Sequence, residues 1–465
     1  MKKLIIVLLV LSLFAASGSL AFGTGDELEI LASGAILINA DTGDILYEKD
    51  IHQQLYPAST TKVLTAILAL ENLELTDNVP IDEEASFTGG SRIYLLEGEE
   101  ITVEEVLYGM LLESANDAAV ALGKMVSGTT EAFTALMNQK AEELGATDSN
   151  FVNPNGLHDP EHVSTVYDMA QIARYAMENE EFRRFVSTYQ YTVEATNMQD
   201  TRYLYNTNRL LYDNQYTVVV NGVTRGCLYE GVTGVKTGWT SQAGGCLVAA
   251  AERDGTEFIA VVMGSTDMGR FQDCITLLDY GFENYKTVWG LSQGAGLGTI
   301  KIKRGAENRA EVVLGEDVVL NLPLDATEEM LTITTDLEER LKAPVEAGQT
   351  AGTVTVSFGG EELGTYDAVL ASGVEKGGIL SIFGITDATA KKIWTALLLI
   401  VLGFFALVVA YVILKRRQIR RRKQRRLERL DRAKARADSA YTARSKTEKT
   451  EEDEFWRKYG RGDPH

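Results

Sequence analysis

The chain has 465 residues, 45% of them hydrophobic and 24% charged; at about 100–200 residues per domain this is a packed chain of roughly two to four domains, not a disordered one. Its 42 glycines and 7 prolines exclude collagen-like and proline-rich architectures, and its 3 cysteines are too few for a disulfide scaffold. A net charge of −21 argues against nucleic acid as a partner.

Lys2 and Lys3 precede apolar runs at 4–11 and 13–16, and Ser19 and Ala21 stand where a small-residue cleavage site belongs. Residues 1–21 read as a secretory signal peptide, with an uncleaved N-terminal anchor as the alternative. Short apolar strands are expected at 35–39 and 45–48 around the turn Asp41-Thr42-Gly43-Asp44. Val63, Leu64, Ile67, Leu68 and Leu70 recur at helical spacing after Ser59. Further helices are expected at 103–112, 118–125, 131–144 (closed by Gly145) and 166–177. The tyrosine-rich stretch 189–229 reads as irregular. Buried strands are expected at 247–251 and 258–263, joined through Arg253-Asp254-Gly255, and a last helix at 270–282. Strands at both ends with helices between them predict an α+β domain over 28–288, its sheet assembled from distant segments.

The glycine-rich segment 290–298 marks a boundary, after which the apolar period becomes two: Ile300 and Ile302, Val318 and Leu320, Leu331 and Ile333, then Val354, Val356 and Phe358. This predicts a small all-β domain over 291–372. Residues 393–414 carry no charge and as a helix would measure ~33 Å, enough to cross a bilayer core. The tail, 415–465, opens with Lys415, Arg416 and Arg417 and holds 19 Lys/Arg against 9 Asp/Glu, whereas residues 23–414 hold 24 against 57. Basic flanks stay in the cytoplasm. The expected topology is therefore signal, acidic external region, one transmembrane helix and a basic cytoplasmic tail. That tail is either a flank held against anionic lipid or a docking site for a cytoplasmic partner.

Three strings in the first domain carry chemistry. Ser59 and Lys62, three apart at the opening of a helix, share a face. A serine hydroxyl becomes a nucleophile when a base takes its proton, and a lysine of lowered pKa can do so. Alone, the pair equally describes a capped helix with a surface lysine. Ser114-Ala115-Asn116 falls between two expected helices, where a hydroxyl and an amide can relay a proton and hold a carbonyl; alone it is a helix cap or turn. Lys236-Thr237-Gly238 suits a carboxylate-bearing chain in close approach, and alone reads as a common turn.

Each string occurs once, in this order. Together they resemble Ser-x-x-Lys, Ser-Asp-Asn and Lys-Thr-Gly, the signature of penicillin-binding proteins and class A β-lactamases, with Ala115 in place of the Asp. Glu113-Ser114-Ala115-Asn116-Asp117-Ala118, Met137-Asn138, Asn153-Pro154-Asn155-Gly156-Leu157, Lys236-Thr237-Gly238-Trp239-Thr240 and Ala243-Gly244 narrow the likeness. The chain resembles the low-molecular-mass penicillin-binding proteins that act as serine-type D-alanyl-D-alanine carboxypeptidases, over about residues 28–372.

The resemblance implies a transpeptidase-like catalytic domain of helices and an antiparallel sheet, followed by a small β domain. It implies a bacterial cell membrane, peptidoglycan stem peptides as substrates, β-lactams as acylating ligands, and neither cofactor nor metal. It implies that Ser59 attacks the terminal D-Ala-D-Ala bond, Lys62 is the base and Ser114 passes the proton to the leaving D-alanine. Asn116 would hold the substrate backbone, Lys236 and Thr237 its carboxylate, and the backbone N–H groups of Ser59 and Trp239 the oxyanion. A D,D-endopeptidase or transpeptidase shares all three strings. A β-lactamase would need a Glu-x-x-Leu-Asn string, which is not found after Ser114. A non-catalytic β-lactam sensor would use the basic tail as its signalling arm.

Other residues invite readings of their own. His158 and His162 resemble a metal pair, but Pro160 between them opposes a shared helical face; a structural loop is the other reading. Cys246, on an apolar strand, reads as a buried small hydrophobe, with a disulfide to Cys227 as the alternative. Arg461-Gly462-Asp463 reads as chance. Tyrosines 189, 191, 203, 205 and 212 border a cleft or pack among themselves.

Overall fold

A computed structural model of the protein describes residues 28–327 and 330–460. The expected signal peptide at 1–21 and the Arg461-Gly462-Asp463 string lie outside the described residues. The chain divides into two compact units. One holds the residues up to Ala295 with Leu314–Thr335 and Val354–Asp367; the other holds Gly296–Val313, Asp336–Thr353 and the residues from Ala368.

In the first unit, β1 (Gly34–Asn39) and β2 (Ile45–Lys49) form the expected hairpin. Helices α1 (Lys62–Asn72), α2 (Glu83–Ser86), α3 (Val103–Leu112), α4 (Asn116–Ser127), α5 (Thr130–Glu143), α6 (Val166–Met177) and α7 (Glu180–Ser187) follow. Side chains cap several of them: Thr102 and Glu105 close a capping box on α3, and Thr165 caps α6. The stretch expected to be irregular instead folds as two hairpins, β3 (Gln190–Val193) with β4 (Arg202–Tyr205) and β5 (Thr217–Val220) with β6 (Val223–Gly226). The second turns on Asn221-Gly222, both at positive φ, a hairpin signal that was present in the sequence. Then come β7 (Val232–Thr240), β8 (Gly244–Arg253), β9 (Thr256–Ser265), α8 (Gly269–Asn284) and β10 (Tyr285–Trp289).

The main sheet is antiparallel, in the order β2-β1-β9-β8-β7. Its inner strands are buried on both faces, which is why they read as unbroken apolar runs. Successive residues alternate between two cores. Ile36, Ile38, Val248, Ala250, Ile259 and Val261 pack with α1, α3, α4 and α6. Leu37, Leu247, Ala249, Phe258, Ala260 and Val262 pack on the opposite face with Phe271, Ile275 and Leu278 of α8. The sheet thus unites residues 34–39 with 232–265, as an α+β domain with a sheet from distant segments requires.

The remaining strands are β11 (Gly296–Lys303), β12 (Arg309–Leu314), β13 (Val319–Pro323), β14 (Leu331–Leu337), β15 (Arg340–Lys342), β16 (Thr350–Phe358) and β17 (Glu361–Leu370). In the second unit, β11 pairs antiparallel with β12 and parallel with β15. Ile300, Ile302, Ala310 and Val312 are buried at alternate positions, the expected period of two.

Helix α9 (Asp387–Tyr459) is 73 residues long, capped by Thr386. It contains the uncharged run 393–414 and is the one helix among the described residues long and apolar enough to cross a membrane. Residues 415–459 of the basic tail continue it without a break, and their described side chains are exposed.

Candidate active site

The nucleophile candidate stands on a strained turn. A 3-10 turn (Ala58–Thr61) runs directly into α1 without a side-chain cap. The hydroxyls fold back instead: Thr60 Oγ1 donates to the Pro57 carbonyl at 2.7 Å and Thr61 Oγ1 to that of Ala58 at 2.8 Å. Ala58 sits at φ +48°, costly for a residue with a Cβ. Ser59 is half-buried, while Thr60, Thr61 and Lys62 around it are buried. Lys62 is 0% exposed, which overturns the surface-lysine alternative.

Lys62 Nζ lies 3.0 Å from Ser59 Oγ, 2.7 Å from Asn116 Oδ1 and 2.5 Å from the Asn155 carbonyl oxygen. The Asn116 amide is oriented from its other side, where Nδ2 donates to Gly89 O at 2.8 Å. Two of the three partners of Lys62 can therefore only accept. A neutral amine has two N–H bonds and one lone pair. A neutral amine here would place both N–H bonds on Asn116 and Asn155 and turn its lone pair to the Ser59 hydroxyl; a protonated one donates to Ser59 Oγ as well. Burial, and then the charge of Lys236, push the Lys62 pKa well below the usual lysine value, against the opposing carboxylate of Asp117. A buried amine of lowered pKa within 3.0 Å of a serine hydroxyl is the arrangement that general-base chemistry requires.

Ser114 lies in the connection between α3 and α4, buried and at φ +60°. Asn116 opens α4, its N–H donating to Ser91 O at 2.7 Å. The next residue, Asp117, is buried and accepts from the N–H groups of Leu95 at 3.0 Å and Ala118 at 2.9 Å. That ties residues 91–95 to the head of α4, beside the amide that holds Lys62.

The third string lies within strand β7, not in a turn. Glycine suggested a turn; its use here is close approach. A Cβ on Gly238 would stand 3.0 Å from Pro57 O and 3.1 Å from the backbone nitrogens of both Ser59 and Thr60, so β7 runs against the nucleophile turn because that side chain is missing. Lys236 and Thr237 are buried beside it, and Trp239 is 56% exposed at the edge. Burial first, then the charge of Arg270, lower the Lys236 pKa to about 7, opposed by Glu113. Thr237 Oγ1 is 2.7 Å from Thr207 Oγ1.

A family model described as D-alanyl-D-alanine carboxypeptidase matches residues 22–267, more than half of the chain. The chain belongs to the D-alanyl-D-alanine carboxypeptidase family. A model of the penicillin-binding protein 5 C-terminal domain matches residues 285–376. The chain is 34% identical to D-alanyl-D-alanine carboxypeptidase DacF of Bacillus subtilis, over 82% of this chain and 97% of that protein. It is 29% identical to D-alanyl-D-alanine carboxypeptidase DacC of Escherichia coli, over 79% and 90%. Among solved structures it resembles penicillin binding protein 5 from Haemophilus influenzae, with a TM-score of 0.66 and 28% identity over 76% of this chain and all of that one.

In this member of the carboxypeptidase family the fold adds residues that sequence reasoning missed. Arg270, from α8, donates to the Gly238 carbonyl at 2.8 Å and pairs with Asp267 at 2.9 Å; its only sequence trace is an arginine near a helix start. Thr207 follows hairpin β3–β4 and carries no motif. Main-chain acceptors such as Asn155 O are invisible to side-chain patterns.

His162 has a protein partner on each ring nitrogen. The Val152 N–H donates to its Nδ1 at 3.1 Å, so the ring proton sits on Nε2 and donates to Thr61 Oγ1 at 2.9 Å. Both nitrogens are used, and burial lowers its pKa to about 4. His158 instead packs edge-on to Tyr56. The three cysteines are buried and free, so Cys246 and Cys227 form no disulfide. Of the tyrosines, Tyr191 stacks on Tyr108 and Tyr189 packs against Tyr205 and Tyr212.

Gly156 presses on the same turn. At φ +78°, its missing Cβ would lie 1.8 Å from Ala58 O and 3.0 Å from Ser59 N, both backbone atoms. Gly156→Ala is expected to cost about 3 kcal/mol or more of stability or to displace the turn. A displacement of about 1 Å would slow acylation on the order of 100-fold. Thermal unfolding and the rate of penicillin labelling check this; wild-type values of both would contradict the packing described.

Proposed function

We propose that this chain removes the terminal D-alanine from peptidoglycan stem peptides through an acyl-enzyme on Ser59, and that β-lactams acylate the same hydroxyl. The observation that carries the reading is the buried Lys62 amine. Its Nζ lies 3.0 Å from Ser59 Oγ and within reach of two obligate acceptors, Asn116 Oδ1 and the Asn155 carbonyl, so once neutral it turns its lone pair to the serine. The Ser59 proton passes to Lys62 Nζ as Oγ bonds the scissile carbonyl carbon. The N–H groups of Ser59 and Trp239 hold the resulting oxyanion. The C–N bond breaks as Lys62 returns the proton, through the Ser114 hydroxyl, to the leaving amine of D-alanine. Water then attacks the ester and regenerates Ser59. Asn116 orients the substrate backbone, and Lys236 and Thr237 hold the terminal carboxylate, with Arg270 adding positive charge behind them. The reaction as proposed uses no cofactor.

The proposed boundaries are a signal peptide at 1–21, the catalytic domain at 28–288, the β domain at 291–372, a span at 393–414 and a tail at 415–465; the family matches at 22–267 and 285–376 support the middle two. The uncharged run in α9 supports membrane anchoring. The basic flank after Leu414 supports a catalytic domain outside the cell and a cytoplasmic tail held against anionic lipid or a partner.

The test is D-alanine release from a peptide ending in D-Ala-D-Ala, followed across pH. Lys62 must be neutral, so kcat/KM rises as it loses its proton. Lys236 must be charged to hold the carboxylate, so kcat/KM falls as pH passes through about 7. Lys236→Arg keeps the charge and is expected to move the alkaline limb upward. No D-alanine release would contradict the function, and a limb unmoved by Lys236→Arg would contradict the role of Lys236.

A further inference from the structure

The second unit carries a cavity of about 540 Å³ lined by Lys301, Lys303, Arg304 and Arg309 with no carboxylate in its wall. All four cations are exposed, and none forms an ion pair among the described residues. Four unpaired cations around one concavity mutually repel unless an anion occupies it. Ser381, Ile382 and Gly384 complete the wall. They belong to the short 3-10 turn Ile379–Phe383 and its cap, which expose Ile379, Ile382 and Phe383 at 84%, 60% and 77%.

This wall is fastened to the start of α9. The Asp387 N–H donates to Ala306 O at 2.8 Å, and Asp387 Oδ1 accepts from the Gly378 N–H at 2.9 Å. The Gly377 N–H donates to Arg304 O at 2.9 Å. From Asp387 to the uncharged run at Ile393 is six residues, ~9 Å along a helix. The headgroup layer on one side of a bilayer is about 5–8 Å thick. A chain anchored through 393–414 therefore holds this cavity at headgroup depth, with three apolar side chains beside it.

We propose that the cavity binds the headgroup of an anionic phospholipid in the leaflet that faces the catalytic domain, with Ile379, Ile382 and Phe383 dipping into the adjoining acyl region. The inference rests on the membrane anchoring proposed above. Phosphate suits the site because Arg304 and Arg309 offer forked N–H donors and Lys301 and Lys303 compact charge. A zwitterionic headgroup brings its own cation into a pocket already rich in them, so net anionic lipid is favoured. Bound this way, the second unit has two attachments to the membrane, the span and the pocket, and its freedom to swing about the start of α9 is restricted.

The test uses the full chain reconstituted in nanodiscs of phosphatidylcholine alone or with phosphatidylglycerol, read by amide hydrogen exchange. Segments 300–309 and 378–385 should exchange about fivefold or more slowly with phosphatidylglycerol, an effect that weakens at high salt. The triple variant Lys301→Gln, Lys303→Gln, Arg304→Gln should lose that difference while staying in the disc and still hydrolysing soluble peptide. Equal exchange in both lipids would overturn the proposal. So would equal protection from soluble glycerophosphate in phosphatidylcholine discs, which would mean an anion source other than lipid. Release of the wild-type chain from cell membranes by alkaline carbonate would overturn the anchor, and this inference with it; retention with equal exchange overturns the pocket alone.

Discussion

Ser59→Ala is expected to fold like the wild type and to form no covalent adduct with a labelled penicillin. Its D-alanine release falls on the order of 10⁴–10⁶-fold, the cost of deleting the nucleophile of a serine hydrolase. The side chain of Ser59 makes one hydrogen bond, to Lys62, and the turn around it is held by Thr60 and Thr61 instead. Removing one oxygen from this half-buried position leaves the turn intact, so thermal unfolding should shift little, by roughly 0.5 kcal/mol or less. Labelling of a folded Ser59→Ala protein would place the nucleophile elsewhere.

Lys62→Arg and Lys62→Met should each slow acylation by about 10²–10⁴-fold, the usual contribution of a general base. Arginine stays protonated at all working pH and has no lone pair to offer Ser59. Methionine keeps the length and offers no basic nitrogen. The two variants fail for different chemical reasons, so equal losses would not trace to steric bulk alone.

Between its lowered native pKa and the ordinary lysine value of 10.5, Lys62 binds a proton in the unfolded chain and not in the folded one. Wild-type stability therefore gains with rising pH across that window, and is reduced below it. Lys62→Met should lack this component of the pH dependence. Acylation at the wild-type rate in either variant, measured by stopped-flow with a chromogenic cephalosporin, would remove Lys62 from the base role.

What the sequence made legible was the chemistry that side chains spell out. Ser59 and Lys62 share a face because three residues make one turn; the 3.0 Å contact also needs Asn116 and Asn155, which hold Lys62 Nζ from the other side. The bond from Lys62 to Asn116, 54 residues on, was not legible: the ordered strings assigned Asn116 to the substrate backbone and said nothing of a contact with Lys62. Gly238 left two readings open, close approach or a turn, because a glycine beside a threonine fits both; the neighbouring Ser59 nitrogen decides for close approach, of the nucleophile turn. The hairpin at Asn221-Gly222 was legible and was overshadowed by the surrounding tyrosines. Asn155 O, Gly89 O and Arg270 were not legible, because main-chain acceptors carry no residue type and Arg270 reaches the site from α8 by tertiary folding. Tail residues 415–459 continue as helix because Lys, Arg, Glu and Ala favour it locally.

The most direct measurement is rapid quenching of the full-length protein with a peptide substrate ending in D-Ala-D-Ala, followed by peptide mapping by mass spectrometry. The mechanism predicts a transient adduct on the peptide containing Ser59, equal in mass to the substrate less one D-alanine. One D-alanine should appear with each adduct, and the adduct should decay to free enzyme and shortened peptide. D-alanine release without an adduct at Ser59, or an adduct mapping to another residue, would contradict it.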